Sequence, residues 1–166
     1  MQNAHSLFRQ KTMNNEELMR EALLLAKEAF DDGDVPVGCV IAGPSGMIIG
    51  RGRNRREADH DATAHAEIEA IREACAAVGD WRLDDCTLAV SLEPCPMCAG
   101  AIINARIPKV LYGLKEKRSG SCGSVIDLFS EAYGHHPKVY PGILAEDSQA
   151  LLQHFFEAAR NTYDLE

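Results

Sequence analysis

Three side chains in this sequence could hold a metal, and a fourth could move protons beside it. Cys95 and Cys98 stand three apart in Pro94-Cys95-Pro96-Met97-Cys98, at the expected start of a helix, so both sulfurs face one way. A helix N-terminus favours thiolate through its dipole and unpaired amides. Pro96 is tolerated there because first-turn amides lack helical partners anyway. Two thiolates need a third ligand to form a catalytic zinc site with an open fourth position. The candidate is His65, at the start of the preceding expected helix. Glu67 follows two residues on, about 200° around the helix axis, and so does not share a face with His65. That differs from the two-histidine helix of a metalloprotease. It suits a ligand and a non-ligand carboxylate approaching one metal from two sides. One Zn²⁺ with two thiolates and a neutral imidazole sums to zero charge, and a water bound there is acidified toward neutral pH. Glu67 is the group placed to take its proton.

A CxxC pair alone also reads as a structural zinc half-site or a redox pair, and an HxE alone is weak. Both together, in this order and on two expected helix starts, point to catalysis.

The elements that must position these groups follow from periodicity. Asn14 or Asn15 can cap a helix whose first turn carries Glu16 and Glu17. Its apolar face is expected at Leu18, Ala22, Leu25, Ala26 and Phe30, and it ends near Asp31-Asp32-Gly33-Asp34. Val37 to Ala42 reads as a buried strand, Gly43-Pro44-Ser45-Gly46 as a hairpin turn and Met47 to Gly52 as its partner. Thr63 is the expected cap of a second helix from His65 to Val78, with Ile68, Ile71, Cys75 and Val78 on its face. Strands are expected at 87–91 and 110–113, a helix at 95–105, a short helix near 125–129 and a last helix at 145–163. Strands alternating with helices imply an α/β sandwich, one sheet between helical layers. Residues 1–13 read as a flexible leader and 14–166 as a single domain.

Composition sets the class. Hydrophobic residues make up 46% and charged residues 25% of the chain, the balance of a globular protein rather than a disordered one. No run approaches the ~18 apolar residues of a membrane span, so no membrane partner is expected and the cytoplasm is the default address. The thiols are then expected reduced. Cys39, Cys75 and Cys86 lie in apolar segments as small hydrophobes, while Cys122, in a Gly/Ser loop, is ambiguous. The net charge of −8 argues against general nucleic-acid coating. Local clusters remain, at Arg51, Arg53, Arg55 and Arg56 and at Arg106, Lys109, Lys115, Lys117 and Arg118; these suit a specific site or are solvated faces.

The pattern His65/Glu67 with Pro94/Cys95/Cys98 is identified with the signature of zinc base deaminases. The chain resembles the bacterial tRNA-specific adenosine deaminases over about residues 14–160. The resemblance is carried by Asp34-Val35-Pro36-Val37-Gly38, Asn54-Arg55, Thr63 to Ile68, Leu92 to Ile102, Arg106-Ile107, Gly123-Ser124 and Gly142-Ile143-Leu144 leading to Phe155-Phe156. It implies a cytidine deaminase-like three-layer α/β/α sandwich with a five-stranded mixed sheet, and a homodimer acting on a tRNA anticodon loop. Zinc is the one cofactor implied, with no organic group. It further implies that Asn54 hydrogen-bonds the flipped base, that Val37 and Leu92 wall its pocket, and that Phe156 and Arg160 lie near the anticodon loop. Ordinary core packing remains open for Val37 and Leu92, and a turn role for Asn54. Adjacent aromatics on a helix point about 100° apart, so one of Phe155 and Phe156 is expected in the core and one exposed.

The chain departs from the family pattern at Glu116-Lys117-Arg118, where an Asp-x-Lys is usual, and at Gly134-His135-His136, where an Asn-His is usual. His135 and His136 read as loop histidines, not further ligands. Two rival readings stand beside adenosine-to-inosine deamination in tRNA. One is a small-molecule deaminase of guanine or cytosine type. The other is a non-catalytic zinc-binding RNA-interaction subunit, which would have no use for Glu67.

Overall fold

A computed structural model describes residues 12–163, so most of the expected leader lies outside the described residues. Helix α1 (Asn15–Asp31) starts where its cap was expected. The Glu17 amide donates to the Asn14 side chain at 2.9 Å and the Asn14 amide donates back to the Glu17 carboxylate at 2.8 Å, a reciprocal capping box. Its buried stripe is Leu18, Met19, Ala22, Ala26 and Ala29, whereas Leu25 and Phe30 are half-buried. Strands β1 (Gly38–Ala42) and β2 (Ile48–Arg53) form the expected hairpin. A short helix α2 (Arg56–Asp59) follows, then α3 (Ala66–Val78), β3 (Thr87–Leu92), α4 (Pro96–Asn104) and β4 (Lys109–Leu114). The chain closes with β5 (Lys138–Tyr140) and α5 (Ala145–Tyr163).

The five strands lie in the order β2-β1-β3-β4-β5. β1 is antiparallel to both its neighbours, while β3, β4 and β5 run parallel. β2 and β3 therefore point the same way on either side of β1. Their C-terminal ends, and the N-terminal end of β1, share one sheet edge. The main core packs α3 and α4 on one face through Ala66, Ala70, Ala74, Ala99 and Ile102. The other face is covered by α1 through Leu18, Met19 and Ala22, with Ile143 and Leu144 ahead of α5 beside them. This is the expected three-layer sandwich with a five-stranded mixed sheet.

Three expectations are corrected. Thr63 does not cap α3; its hydroxyl donates to Asp61 at 2.7 Å, and His65 occupies the cap position. The buried face of α3 is Ala66, Glu67, Ala70 and Ala74, not the larger side chains. Ile68, Ile71 and Cys75 are half-buried and Val78 is 51% exposed. The reason is close approach: a Cβ on Gly52 would strike the Ala66 carbonyl oxygen, and one on Gly50 the Ala70 carbonyl oxygen. Only alanines on the helix and glycines on the strand allow that spacing. The short helix expected near 125–129 is a single 3-10 turn at Leu128–Ser130. The strand β5 is too short to show a period of two, and α2 spans four residues.

The close contact of β2 with α3 carries a prediction. Gly52→Ala, with its new Cβ against the Ala66 carbonyl, is expected to destabilise the fold by about 1–3 kcal/mol, read as a lowered midpoint in urea denaturation. An unchanged midpoint would show that α3 can move away at no cost.

Candidate active site

The shared sheet edge gathers the site. β2 leads through α2 to His65, and β3 leads through Glu93 and Pro94 to Cys95. His65 is the N-cap of α3 and Cys95 the N-cap of α4, both with extended backbone. Two helix N-termini thus converge. His65 Nδ1 lies 3.6 Å from Cys95 Sγ and 3.6 Å from Cys98 Sγ. The three ligand atoms all fall within 4.8 Å of one another. For a tetrahedral ion with Zn–S near 2.3 Å and Zn–N near 2.0 Å, the nitrogen–sulfur separation is about 3.5 Å. The donor set therefore fits zinc in both chemistry and spacing. The six cysteines form no disulfide; Cys39 and Cys86 are buried as expected, whereas Cys75 is only half-buried.

Electrostatics support a metal-binding thiolate. The Cys95 thiol is pulled down to about 4, first by the hydrogen bond from Cys98 and then by His65. Cys98 is pushed upward by the same bond and by burial, so a lone thiolate settles on Cys95 in the absence of a cation. Glu67 sits in the first turn of α3, 4% exposed, and burial raises it to about 7 from its ordinary 4.5. A carboxyl balanced near neutrality can both accept and return a proton.

A cavity of about 180 Å³ opens beside these groups. Its lining includes Asn54, His65, Glu67 and Cys95 together with Val37, Arg56, Leu92, Glu93, Glu116 and Ser119. Val37 also belongs to the main core and Leu92 packs against it, so both side chains serve packing and cavity together. Asn54 is held by backbone on two sides: its Nδ2 donates to the Val35 carbonyl at 3.1 Å and its Oδ1 accepts from the Arg56 amide at 3.2 Å. A carboxamide has two donors and two acceptor lone pairs, so one of each remains for a ligand. The turn role and a binding role are compatible.

A groove of about 880 Å³ adjoins the cavity and shares Val35, Leu92 and Glu116 with it. Its wall carries Lys115, Lys117 and Arg118 on one side and Phe156 and Arg160 of α5 on the other. Phe156 is 48% exposed, while Phe155 packs edge-on to Phe30 with centroids 5.7 Å apart. One aromatic inward and one outward is the arrangement their angular spacing implies, although Phe155 is only half-buried. His135 and His136 stand in the loop before β5, each within 2.8 Å of a backbone carbonyl, of Ile107 and Phe129 respectively. The first arginine cluster is largely neutralised: Arg53 pairs with Glu28 and Asp32, Arg55 with Asp59 and Arg56 with Glu57.

Sequence reasoning missed two buried carboxylates that shape the site. Asp34, 1% exposed, accepts the amides of Glu57 at 2.9 Å and Ala58 at 3.0 Å, and so caps α2 from a distant segment. Glu93, 3% exposed, accepts the amides of Glu116, Cys122 and Ser124 at 3.0–3.1 Å and the Ser124 hydroxyl. Neither has a signal in spacing, because their partners lie more than twenty residues away.

Known proteins share this architecture. Residues 12–114 match the cytidine and deoxycytidylate deaminase zinc-binding region. A tRNA(Ile)-lysidine synthase of Deinococcus deserti is 48% identical over 142 residues, which cover 86% of this chain. The chain spans only about a quarter of that relative, 27% of its length. The tRNA-specific adenosine deaminase of Bacillus subtilis is 43% identical over 150 residues, with 89% of this chain and 92% of that protein covered. A solved structure from studies of A-to-I editing by tRNA:A34 deaminases superposes with a TM-score of 0.78 at 42% identity, over 81% of this chain and 98% of that one. The guanine deaminase of Bacillus subtilis superposes with a TM-score of 0.61 at 38% identity, over 90% and 95%.

Burial of Glu67 gives a pH prediction for the zinc-free protein. A folded-state value above the ordinary one means that the folded chain binds this proton more tightly. The group's unfavourable contribution is therefore absent below about 4.5 and grows until about 7. Glu67→Gln, which never ionises, is expected to gain stability relative to wild type as pH rises through that window, by up to a few kcal/mol. Paired thermal melts from pH 4 to 8 read it; a constant difference would remove the buried-charge account.

Proposed function

Because this chain belongs to the family of the tRNA-specific adenosine deaminases, within the zinc-binding cytidine and deoxycytidylate deaminases, we propose that it converts the wobble adenosine of a tRNA anticodon to inosine. The observation that carries the substrate is the pairing of a small cavity with a larger adjoining groove whose lining carries four basic side chains. The cavity is below the ~300–1,000 Å³ of sites that enclose a drug-sized ligand, so it suits one planar base. Sugar and phosphates would then lie in the groove, where Lys115, Lys117, Arg118 and Arg160 offer positive charge. A base reaches such a cavity only by leaving its stack.

His65, Cys95 and Cys98 hold the zinc, which when bound supplies Lewis acidity that brings a water's ionisation near neutral pH. Glu67 is placed to take a proton from a water whose oxygen would bond to C6 of the purine. It would return that proton to N1 and pass the proton of the new C6 hydroxyl to the 6-amino group, so that the C6–N bond breaks and ammonia leaves. Water is consumed, ammonia is released and no oxidant enters. Asn54 offers its remaining N–H and lone pair to the base edge, and Val37 and Leu92 exclude water around the ring. Phe156 stacks on a splayed neighbouring base and Arg160 meets a phosphate. The cytoplasm, where tRNA is found, is the setting this reading requires. The chain acts as a homodimer, supported by family likeness and by exposed Val125 and Ile126, 54% and 47%, just past the loop that walls the cavity.

A free-guanine substrate is the second reading, favoured by the likeness to a guanine deaminase. The zinc-loaded protein should form inosine in an anticodon stem-loop bearing a wobble adenosine and leave guanine, adenine, cytosine and cytidine unchanged. Turnover of a free base with an inert stem-loop would replace the first reading by the second. Glu67→Gln should keep its zinc by elemental analysis and lose about 10²–10⁴ in kcat. Cys95→Ala should instead lose the metal. Sedimentation should give twice the chain mass; a monomer active at the same concentration would remove the dimer.

A further inference from the structure

Glu93 is a buried carboxylate that itself borders the cavity, and the chemistry above has no use for it. Its four hydrogen bonds all come from one loop. Oε1 accepts the amides of Cys122 at 3.0 Å and Ser124 at 3.1 Å; Oε2 accepts the amide of Glu116 at 3.0 Å and the Ser124 hydroxyl. The loop from Glu116 to Ser124 is thereby fastened at both ends to the residue between Leu92, which walls the cavity, and Pro94-Cys95. Backbone bonds complete the seam: the Glu93 amide donates to the Leu114 carbonyl and the Ser121 amide to the Pro94 carbonyl, both at 2.9 Å. Gly120 packs so close that a Cβ there would meet the Glu93 carboxyl carbon at 2.5 Å.

The fastened loop has two faces. Glu116 and Ser119 line the cavity, while Lys115, Glu116, Lys117 and Arg118 line the groove. We propose that Glu93 is a positioning residue for substrate: its carboxylate holds the loop 116–124 as the wall common to cavity and groove, and so governs docking of the nucleotide strand rather than the chemical step. This rests on the deaminase reading above.

The hydrogen-bond arithmetic requires a carboxylate. Every partner of Glu93 arrives as a donor, and three are amides that cannot reverse. A glutamine must turn its NH₂ toward one side of the loop. Facing Cys122 and Ser124 it opposes two N–H groups; facing Glu116 it opposes one, with the Ser124 hydroxyl able to accept instead. Glu93→Gln therefore releases the Glu116 end of the loop first and makes the variant depend on Ser124.

The test uses zinc-loaded full-length wild type, Glu93→Gln, Ser124→Ala and the double variant, with an anticodon stem-loop as substrate. Glu93→Gln is expected to keep one zinc per chain, to raise KM about tenfold or more and to hold kcat within about threefold. Amide exchange should quicken at 116–124 and stay unchanged in α4. Ser124→Ala should shift KM mildly in the same direction, and the double variant should exceed the product of the two effects. Unchanged KM, a fall confined to kcat, or zinc loss overturns the proposal. If Glu93→Gln does not fold, Ser124→Ala decides by itself, and unaltered loop exchange in that variant overturns it. A wild type inert toward stem-loop and free bases removes the deaminase reading instead, while loop exchange still shows whether Glu93 holds the wall.

Discussion

His65 Nδ1 stands 3.6 Å from both cysteine sulfurs because α3 and α4 begin at one edge of one sheet. β2 and β3 are each antiparallel to β1 and so deliver their helices to the same side. The glycines of β2 then let α3 settle onto the sheet at a depth that a Cβ would forbid. With both N-termini pinned, two sets of unpaired amides face a single point, which lowers the energy of thiolate there. The metal site is a consequence of this convergence, and every other functional residue is placed relative to it.

Three buried carboxylates, Asp34, Glu67 and Glu93, are treated by the fold in different ways. Asp34 and Glu93 are supplied with backbone amides, two and three respectively, so their buried oxygens have hydrogen-bond donors in place of water. Asp34 thereby ties down α2 beyond Asn54, and Glu93 the loop opposite. Glu67 is surrounded mainly by desolvation and by the sulfurs, and is pushed toward neutrality. Satisfied carboxylates hold the walls, and the poorly solvated one is free to exchange its proton. That division follows from which residues lie within reach of amides, not from residue type.

Charge is divided along similar lines. The chain is acidic overall, yet the groove beside the cavity gathers Lys115, Lys117, Arg118 and Arg160. The earlier arginines, as dense in sequence, are mostly spent on Glu28, Asp32, Asp59 and Glu57. Two clusters that look alike as text therefore differ in the positive charge they leave for a partner, since an ion pair already formed offers less attraction to an incoming phosphate.

Local spacing was enough for the metal-binding set, the long helices and the hairpin. His65, Cys95 and Cys98 declare their chemistry through residue type and a three-residue repeat; α1 and α5 are long enough for a 3.6-residue period to emerge, and Asn14 with Glu17 forms its cap within one turn. Tertiary structure decided the rest. The buried face of α3 falls on its alanines because glycines from β2 approach there, a contact invisible along the helix itself. β5 and α2 are too short for any period, and Thr63 yields the cap position to His65 while bonding Asp61. Glu93 and Asp34 acquire their roles from amides 23 residues or more distant. Short-range hydrogen bonds and helical periodicity are written in consecutive residues, whereas close packing and the satisfaction of buried charge depend on which distant segments the sheet brings together.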